Sequence, residues 1–408
     1  MLASTDNNAP FEEEGNWTPR SFHELISTRN YRLIMISAIV VFTLSSIGHL
    51  PLFHVYTDFL TFWNRQNSER VPYLTYEIPY IQYVFEYPPL SGLILWLAGW
   101  GSHDNLIVYF AISFTMLGIF FILTTHLIYQ FSEKLGISHD YQIVFTIFAP
   151  SVLFFGPYNF DLVQAFFIVL ALYLFIARKK PAYSAVALGL AIATKLFPII
   201  LIPFLLQDLN SLKAKANYAL ISFGVVAALN IPFAALNFSN WISGFTYFRK
   251  WGLEDTFLLW IFRSTSSLET AEFVSCGLVL LSVVVIFIFL RDRPLLVRCL
   301  LAMASFLLFS YISTPQMNLD LVPFFALVPL VPLPLFYLFE GATVAFMSLW
   351  NTFPNSESPG PVQGIALIRQ LALILISFSV WKQSRDNRVQ RKLPISILER
   401  SERVLDAT

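Results

Sequence analysis

The fold of this chain is decided by residues 106–129, which read LIVYFAISFTMLGIFFILTTHLIY. This stretch contains no Asp, Glu, Lys or Arg, and it exceeds the roughly 20 apolar residues that a helix needs to cross a bilayer. Comparable apolar runs lie on both sides of it, at 33–53, 160–177, 216–236, 272–290, 295–312 and 364–381. The sequence therefore predicts an all-α polytopic membrane protein.

The composition supports this class and excludes others. Only 13% of the 408 residues are charged, about half of the share usual in soluble domains. Lys and Arg (26) balance Asp and Glu (26), so the chain has no positive excess with which to bind nucleic acid. Its two cysteines, Cys276 and Cys299, lie in or beside apolar runs and form neither a disulfide framework nor a CxxC site. Since the histidines also lack metal-like spacing, we expect no metal site and no cofactor.

Further apolar runs are short or interrupted, at 88–100, 141–156, 183–206 and 319–350. Pro198 predicts a bend just after Lys195, and Pro332 and Pro334 predict that the last run makes two short passes. A broken backbone at membrane depth survives only where protein buries it or where it lines a cavity. We expect about ten spans in total, plus re-entrant or interfacial helices, of which 88–100 is one.

Positive charge sets the predicted orientation. Clusters of Lys and Arg lie before the first span, after residue 177 and in the C-terminal tail, and such clusters favour the cytoplasmic side. We therefore predict a polar cytoplasmic segment at 1–31, a single transmembrane domain at 32–382 and a cytoplasmic tail at 383–408. The loops 55–87 and 237–271 are then external or lumenal, in a plasma membrane or an ER-type membrane.

The first predicted external loop is unusually aromatic. Residues 55–87 contain ten Phe, Trp or Tyr rings, interleaved with acidic residues that include Asp58, Glu77 and Glu86. Amphipathic rings settle at the headgroup level of a bilayer, so one interpretation is an interfacial belt. The other is a platform on which sugar faces stack.

Asp58 follows the first span directly. An ionisable group at a membrane boundary is a functional candidate, and a positioned carboxylate acts as a general base towards an attacking hydroxyl. The alternative is a carboxylate that caps the start of a helix. Glu77 is a second acidic candidate, which replaces Asp58 as the base if the loop is aligned differently.

Lys195 lies in the middle of an apolar run, where an unpaired ammonium is costly. One partner is a substrate phosphate, which a lysine binds as a point charge. The other is an ion pair with a carboxylate such as Asp161 or Asp320.

Further polar residues are candidate ligands of a hydroxyl-rich substrate. Glu86 and Tyr87 precede a double proline and could hold sugar hydroxyls or form a plain interfacial turn. Asn159 could do the same or cap the following helix. Gln316 and Asn318 are either ligands or polar filling at the end of a span.

These residues occur in short motifs whose order resembles that of a known enzyme group. Besides Asp58, the motifs are EYPPL at 86–90, GPYN at 156–159, GLA at 189–191, KLFP at 195–198, TPQ at 314–316 and LVP at 321–323. The chain resembles the GT-C superfamily of integral membrane glycosyltransferases, most closely glycosyltransferase family 87, the polyprenol-phosphate-mannose-dependent mannosyltransferases. The resemblance extends over roughly residues 33–382.

The resemblance implies a GT-C type helical bundle with hexosyltransferase activity. Its donor would be a polyprenyl-phosphate-linked hexose, and the named family indicates mannose. Its acceptor would be a glycan or glycolipid hydroxyl at the external or lumenal face. Transfer would invert the anomeric centre, with Asp58 as the base by position. Membrane lipids would surround the site, and no nucleotide sugar would be needed.

Two other classes of function remain open at this point. A lipid-linked sugar flippase or transporter also uses broken helices and a buried lysine. Transporters often consist of two related halves, however, and the later half of this chain has no counterpart of the loop 55–87. The third class is a catalytically silent subunit of a larger glycosylation complex.

Overall fold

The computed structural model describes residues 20–53, 57–68, 77–250, 252–262, 268–352 and 360–385. Within these ranges the regular structure is helical, and β-structure is limited to two isolated bridges. The all-α class is therefore confirmed for the described part of the chain. The first helices are α1 (Phe22–Ser27), α2 (Arg29–Gly48), α3 (Asp58–Ser68), α4 (Pro89–Ser102), α5 (Leu106–Leu135), α6 (His139–Gln142), α7 (Pro150–Phe155), α8 (Asp161–Ile176) and α9 (Pro181–Thr194). The later helices are α10 (Ile202–Gln207), α11 (Leu212–Leu236), α12 (Phe238–Thr246), α13 (Leu258–Ile261), α14 (Leu268–Phe289), α15 (Leu295–Phe309), α16 (Val322–Leu327), α17 (Leu333–Thr352) and α18 (Pro361–Gln383).

Five of these helices are long and apolar enough to cross a membrane: α2, α5, α11, α14 and α18. Shorter apolar helices accompany them, including α8, α9 and α15. Every long apolar run predicted from the sequence thus contains a helix. Length and composition identify five spans rather than ten, so the count of about ten remains a prediction.

The predicted interruptions are present, although one differs in form. Helix α9 ends at Thr194, Lys195 is extended, and a 3₁₀ helix begins at Phe197. Pro198 has no N–H to donate to the carbonyl of Thr194, so α9 cannot continue through it with a complete set of backbone bonds. In the last broken run, α16 is a single short helix and α17 is one continuous helix of 20 residues. The run is divided at residues 328–332, beside Pro332 and Pro334 as predicted, and the two pieces differ in length, because α16 has six residues and α17 has 20.

The run at 88–100 forms one continuous helix, α4, which begins at Pro89. Its 14 residues are too few for a straight crossing, which takes roughly 20 residues. One face of α4 is buried against α5 and α9. The re-entrant or interfacial placement of this helix stays a prediction.

The core is built from closely packed helix pairs. Helix α8 packs against α5 and α9, α9 packs against α11, and α17 packs against α18. At Gly189 of α9, an added Cβ would lie 2.7 Å from the Ser222 carbonyl oxygen of α11. Small residues allow this approach, which is how helices associate in a membrane. The packing brings the start of α8 and the end of α9 together at one end of the bundle, where the candidate site lies.

Candidate functional site

A cavity of about 560 Å³ lies where the interrupted segments meet. One wall is formed by the start of α3, the segment 86–88 and the end of α9. Residues around Glu254 and the segment 310–317 also line the cavity. The two predicted external loops therefore contribute to the same cavity, at the same end of the bundle.

The cavity has a polar part and an apolar part. Its polar lining includes Asp58, Glu86, Tyr87, Lys195, Glu254 and Gln316. Its apolar lining comes from the segment after Lys195 and from α14, α15 and α17, and includes Leu196, Phe197, Ile199, Val279, Phe306 and Phe346. The cavity therefore offers hydrogen-bonding groups and apolar surface to one ligand.

Asp58 is held by the backbone break that precedes α8. Its N–H donates to the carbonyl of Tyr158 at 3.2 Å. The hydroxyl of Thr57 donates to the carbonyls of Pro157 and Tyr158 at 3.2 and 3.0 Å. Asp58 is also the first residue of α3, so the helix start and the break fix its backbone together.

Asn159 supports the Asp58 carboxylate directly. Its side-chain amide donates to Asp58 Oδ2 at 2.5 Å and to the Tyr87 hydroxyl oxygen at 2.7 Å. Asn159 is fully buried and is not part of the cavity lining, and the residue at the N-cap of α8 is Phe160. The structure thus places Asn159 behind the carboxylate rather than at a helix cap.

Burial raises the pKa of Asp58 to about 7, from an ordinary value near 4. The positive charge of Lys195 opposes this rise, while the neighbouring carboxylates of Asp161 and Glu86 add to it. A base whose pKa lies near neutral pH is well matched to proton transfer at that pH. The environment of Asp58 is therefore suited to general base chemistry.

Lys195 has a carboxylate partner inside the protein. Its Nζ lies 2.5 Å from Asp161 Oδ1, and both side chains are buried. The ammonium also lies 5.5 Å from the centre of the Tyr87 ring, and Lys195 lines the cavity. The ion-pair interpretation is thus realised in the structure, and it leaves the lysine at the cavity wall where a ligand phosphate could reach it.

The remaining candidates separate into lining and non-lining residues. Glu86 and Gln316 are buried side chains that line the cavity. Asn318 instead donates to the Thr343 hydroxyl of α17, inside the bundle. Glu77 lies outside the cavity lining.

The aromatic residues of the loop 55–87 form mainly core. Tyr56, Tyr73 and Tyr76 lie outside the described residues. Of the others, Phe59, Phe62, Tyr80, Tyr83 and Phe85 are buried, and Phe59 packs on Phe160 at 5.3 Å between ring centres. Both earlier interpretations, a headgroup belt and a sugar platform, are therefore wrong for these five rings, because tertiary packing encloses them beneath Asp58. Tyr87 alone among the described rings of this loop lines the cavity.

Sequence reasoning missed Glu254, which lines the same cavity as Asp58. It lies in a polar segment between two apolar runs, with no motif around it to distinguish it from a solvated surface residue. Among the described residues, no group of three or more His, Cys, Asp or Glu side chains could hold a metal ion.

The family model of glycosyltransferase family 87 matches residues 85–311, which is more than half of the chain. The chain belongs to glycosyltransferase family 87. No match was found among curated proteins. The match and the apolar helices together make this protein an integral membrane glycosyltransferase.

The matched range of this glycosyltransferase contains most of the polar cavity wall. Glu86, Tyr87, Lys195 and Glu254 lie inside it. Asp58 lies before it and joins the site through Asn159, which is inside the range.

Proposed function

We propose that this glycosyltransferase moves one hexose from a polyprenyl-phosphate donor to a hydroxyl of a glycan or glycolipid, and that the hexose is mannose. Transfer takes place at the external or lumenal face and inverts the anomeric centre, with Asp58 as the general base. The observation that carries this proposal is the cavity itself, because a carboxylate with a neutral-range pKa and an extended apolar lining face the same space. A sugar attached to a lipid needs both kinds of surface.

The donor phosphate is assigned to the region of Lys195, at the junction between the polar and apolar lining. The prenyl chain lies along the apolar lining from Leu196 to Phe306, within the bilayer. A lysine binds phosphate as a point charge. Its pairing with Asp161 holds the ammonium at the wall while no anion is bound.

The reaction is a single displacement. The acceptor oxygen attacks the anomeric carbon while its proton passes to Asp58, and a new glycosidic bond forms. The bond between the anomeric carbon and the phosphate oxygen breaks, and its electron pair leaves with the prenyl phosphate. The transition state resembles an oxocarbenium ion, as in other glycosyl transfers. Asn159 keeps the Asp58 carboxylate oriented through its amide hydrogen bond.

The direct test is incubation of the purified protein with a panel of radiolabelled prenyl-phosphate sugars and a membrane lipid extract, followed by identification of the product. We expect Asp58→Asn to lower transfer by about 10²- to 10⁴-fold, which is the contribution of a general base. Asp292→Asn is the matched control, because its side chain is exposed between α14 and α15. Near-normal transfer by Asp58→Asn would remove the base assignment.

The same panel tests the phosphate site, provided that the ion pair is treated as a unit. Lys195→Met alone leaves the Asp161 charge buried and unpaired, which destabilises a protein by roughly 3–5 kcal/mol. The double variant Lys195→Met with Asp161→Asn removes both charges. We expect it to recover thermal stability without recovering donor binding. Normal donor binding by the double variant would show that Lys195 serves only the ion pair.

The flippase alternative predicts a different result. Reconstituted protein would then move the labelled lipid-linked sugar between leaflets and yield no new glycoside. Such movement, unchanged in Asp58→Asn, would replace the transferase proposal.

A further inference from the structure

Glu254 is placed at the cavity by a short β-type pairing. Its N–H donates to the Tyr311 carbonyl at 3.0 Å, and its own carbonyl accepts from the Ser313 N–H at 3.0 Å. These bonds form an isolated parallel bridge between Glu254 and Ile312. The bridge fixes the backbone of Glu254 against the segment 310–317, and its side chain contributes to the cavity lining.

The bridge rests on a buried arginine from the last long helix. Arg369 of α18 is 2% exposed and donates to both the carbonyl and the hydroxyl oxygen of Ser313. The neighbouring Gln370 donates to the Asp255 carbonyl at 3.2 Å, and Asp255 has a φ of +56°. A left-handed backbone is uncommon for a residue other than glycine and persists where its surroundings fix it. Two side chains of α18 thus hold the residue after Glu254 and the segment that pairs with it.

The buried Arg369 charge interacts with two nearby carboxylates. Burying a guanidinium is expensive unless anions face it. Arg369 interacts favourably with the charges of Asp255 and Glu254. Within the described ranges no hydrogen bond to the Glu254 carboxylate is found, so the carboxylate retains acceptor capacity for a ligand in the cavity that Glu254 lines.

Glu254 and Asp58 line the same cavity. The charge of Glu254 is among those that raise the pKa of Asp58, so the two carboxylates sense each other across the cavity. Burial likewise raises the pKa of Glu254 to about 7, and the charge of Arg369 opposes that rise. Carboxylates accept strong hydrogen bonds from hydroxyl groups, and a sugar ring in the cavity would present hydroxyls to both carboxylates.

We propose that Glu254 binds hydroxyl groups of the transferred sugar in the cavity that it shares with Asp58, and that Arg369 positions it by holding the segment 311–313. This inference rests on the proposed function. The donor sugar is favoured over the acceptor because the Glu254 wall continues through Ser310 into the apolar lining at Phe306, where the donor chain is assigned.

The test uses the full-length protein, the donor found active in the panel, and its monodeoxy analogues. We expect Glu254→Gln to lower kcat/KM for the parent donor by roughly 10- to 100-fold, the loss typical of a hydrogen bond to a charged group. The analogue that lacks the partner hydroxyl should be used equally well by the variant and the unaltered enzyme. The KM of the acceptor should not change. Glu269→Gln is the matched control, because its side chain is exposed and lies outside the cavity lining.

The positioning role of Arg369 has its own readout. Arg369→Lys keeps the charge but loses the forked hydrogen bonding to Ser313. We expect it to lower kcat/KM for the parent donor and to weaken the discrimination against the same deoxy analogue. Unfolding temperatures of all variants are measured, and Glu254→Asp replaces Glu254→Gln if the latter unfolds at the assay temperature. A positioning role is overturned if Arg369→Lys lowers the unfolding temperature and leaves the discrimination intact.

The possible failures are distinguishable. If the unaltered protein transfers sugar from no prenyl-phosphate donor, the proposed function fails and this inference fails with it. This inference alone is overturned if the unaltered protein transfers normally and Glu254→Gln lowers kcat/KM equally with every deoxy analogue. It is also overturned if the variant changes only the acceptor KM.

Discussion

At the scale of single residues, the site is defined by how Asp58 is surrounded. Its carboxylate accepts a hydrogen bond from Asn159, senses the positive charge of Lys195, and lies near other acids. Burial dominates and places its pKa near neutrality. An ordinary surface aspartate is a weak base at neutral pH because its pKa is several units lower. The same residue type becomes useful here because of its environment.

This environment predicts a pH dependence. The base must be ionised, so kcat/KM should rise with pH, about tenfold per unit below the pKa, and level off above about 7. Asn159→Ala removes a hydrogen bond to the ionised form, which raises the pKa further. The midpoint of the pH profile should therefore move upwards, and the rate at neutral pH should fall.

Tyr87→Phe is the comparison for this measurement. It removes the second acceptor of the Asn159 amide but leaves the bond to Asp58. A midpoint that is the same in Asn159→Ala and in the unaltered enzyme would show that this amide does not tune the base.

At the scale of elements, interruptions of helices carry the function. The break before α8 holds Asp58, and the end of α9 presents Lys195. Helix α12 reaches the cavity by another route, since it lies across the segment that leads to Glu86. An added Cβ at Gly244 of α12 would lie well inside the van der Waals contact distance from the Phe85 carbonyl oxygen. This contact seats Phe245, the next residue, in the cavity wall.

Gly244→Ala should therefore be harmful although alanine favours helices. Overpacking against backbone costs typically 1–3 kcal/mol, so we expect a lower unfolding temperature and reduced transfer. Gly277→Ala is the matched control, because Gly277 lies inside α14 with no atom within 4 Å of an added Cβ. That change should stabilise the protein by roughly 0.5–1 kcal/mol. An equal effect of the two substitutions on stability would contradict the close packing of α12.

At the scale of the whole molecule, the helices form one bundle with the candidate site at one end. Asp58 and residues from the segments 86–88, 245–254 and 310–317 meet in a single cavity. Regions far apart in the chain must therefore lie at the same membrane depth. This arrangement is compatible with the predicted orientation, in which both large loops are external.

Cysteine labelling in intact vesicles tests that orientation. Gln66→Cys and Lys180→Cys are each introduced in a Cys276→Ser background, because Cys276 is exposed and Cys299 is buried. A membrane-impermeant thiol reagent should label the Gln66→Cys variant in intact vesicles. It should label the Lys180→Cys variant only after permeabilisation. Labelling of both from the same side would overturn the predicted topology.

Much of the fold could be predicted from the sequence because it depends on local properties. Hydropathy over 20-residue windows located the apolar helices, and proline chemistry located the break after Lys195. The same reasoning located the break between α16 and α17 beside Pro332, but not the lengths of the two helices, because only the helix boundaries decide those.

The sequence by itself determined that this protein is a helical membrane protein with polar residues at interrupted helices, because apolar length and missing backbone donors act wherever they occur. Only the tertiary structure decided which of those residues meet. Asn159 supports Asp58 across 101 positions of the chain, Lys195 selects Asp161, and Glu254 faces the cavity while Glu77 does not. These choices follow from long-range helix packing, which brings together side chains that no local pattern in the chain connects.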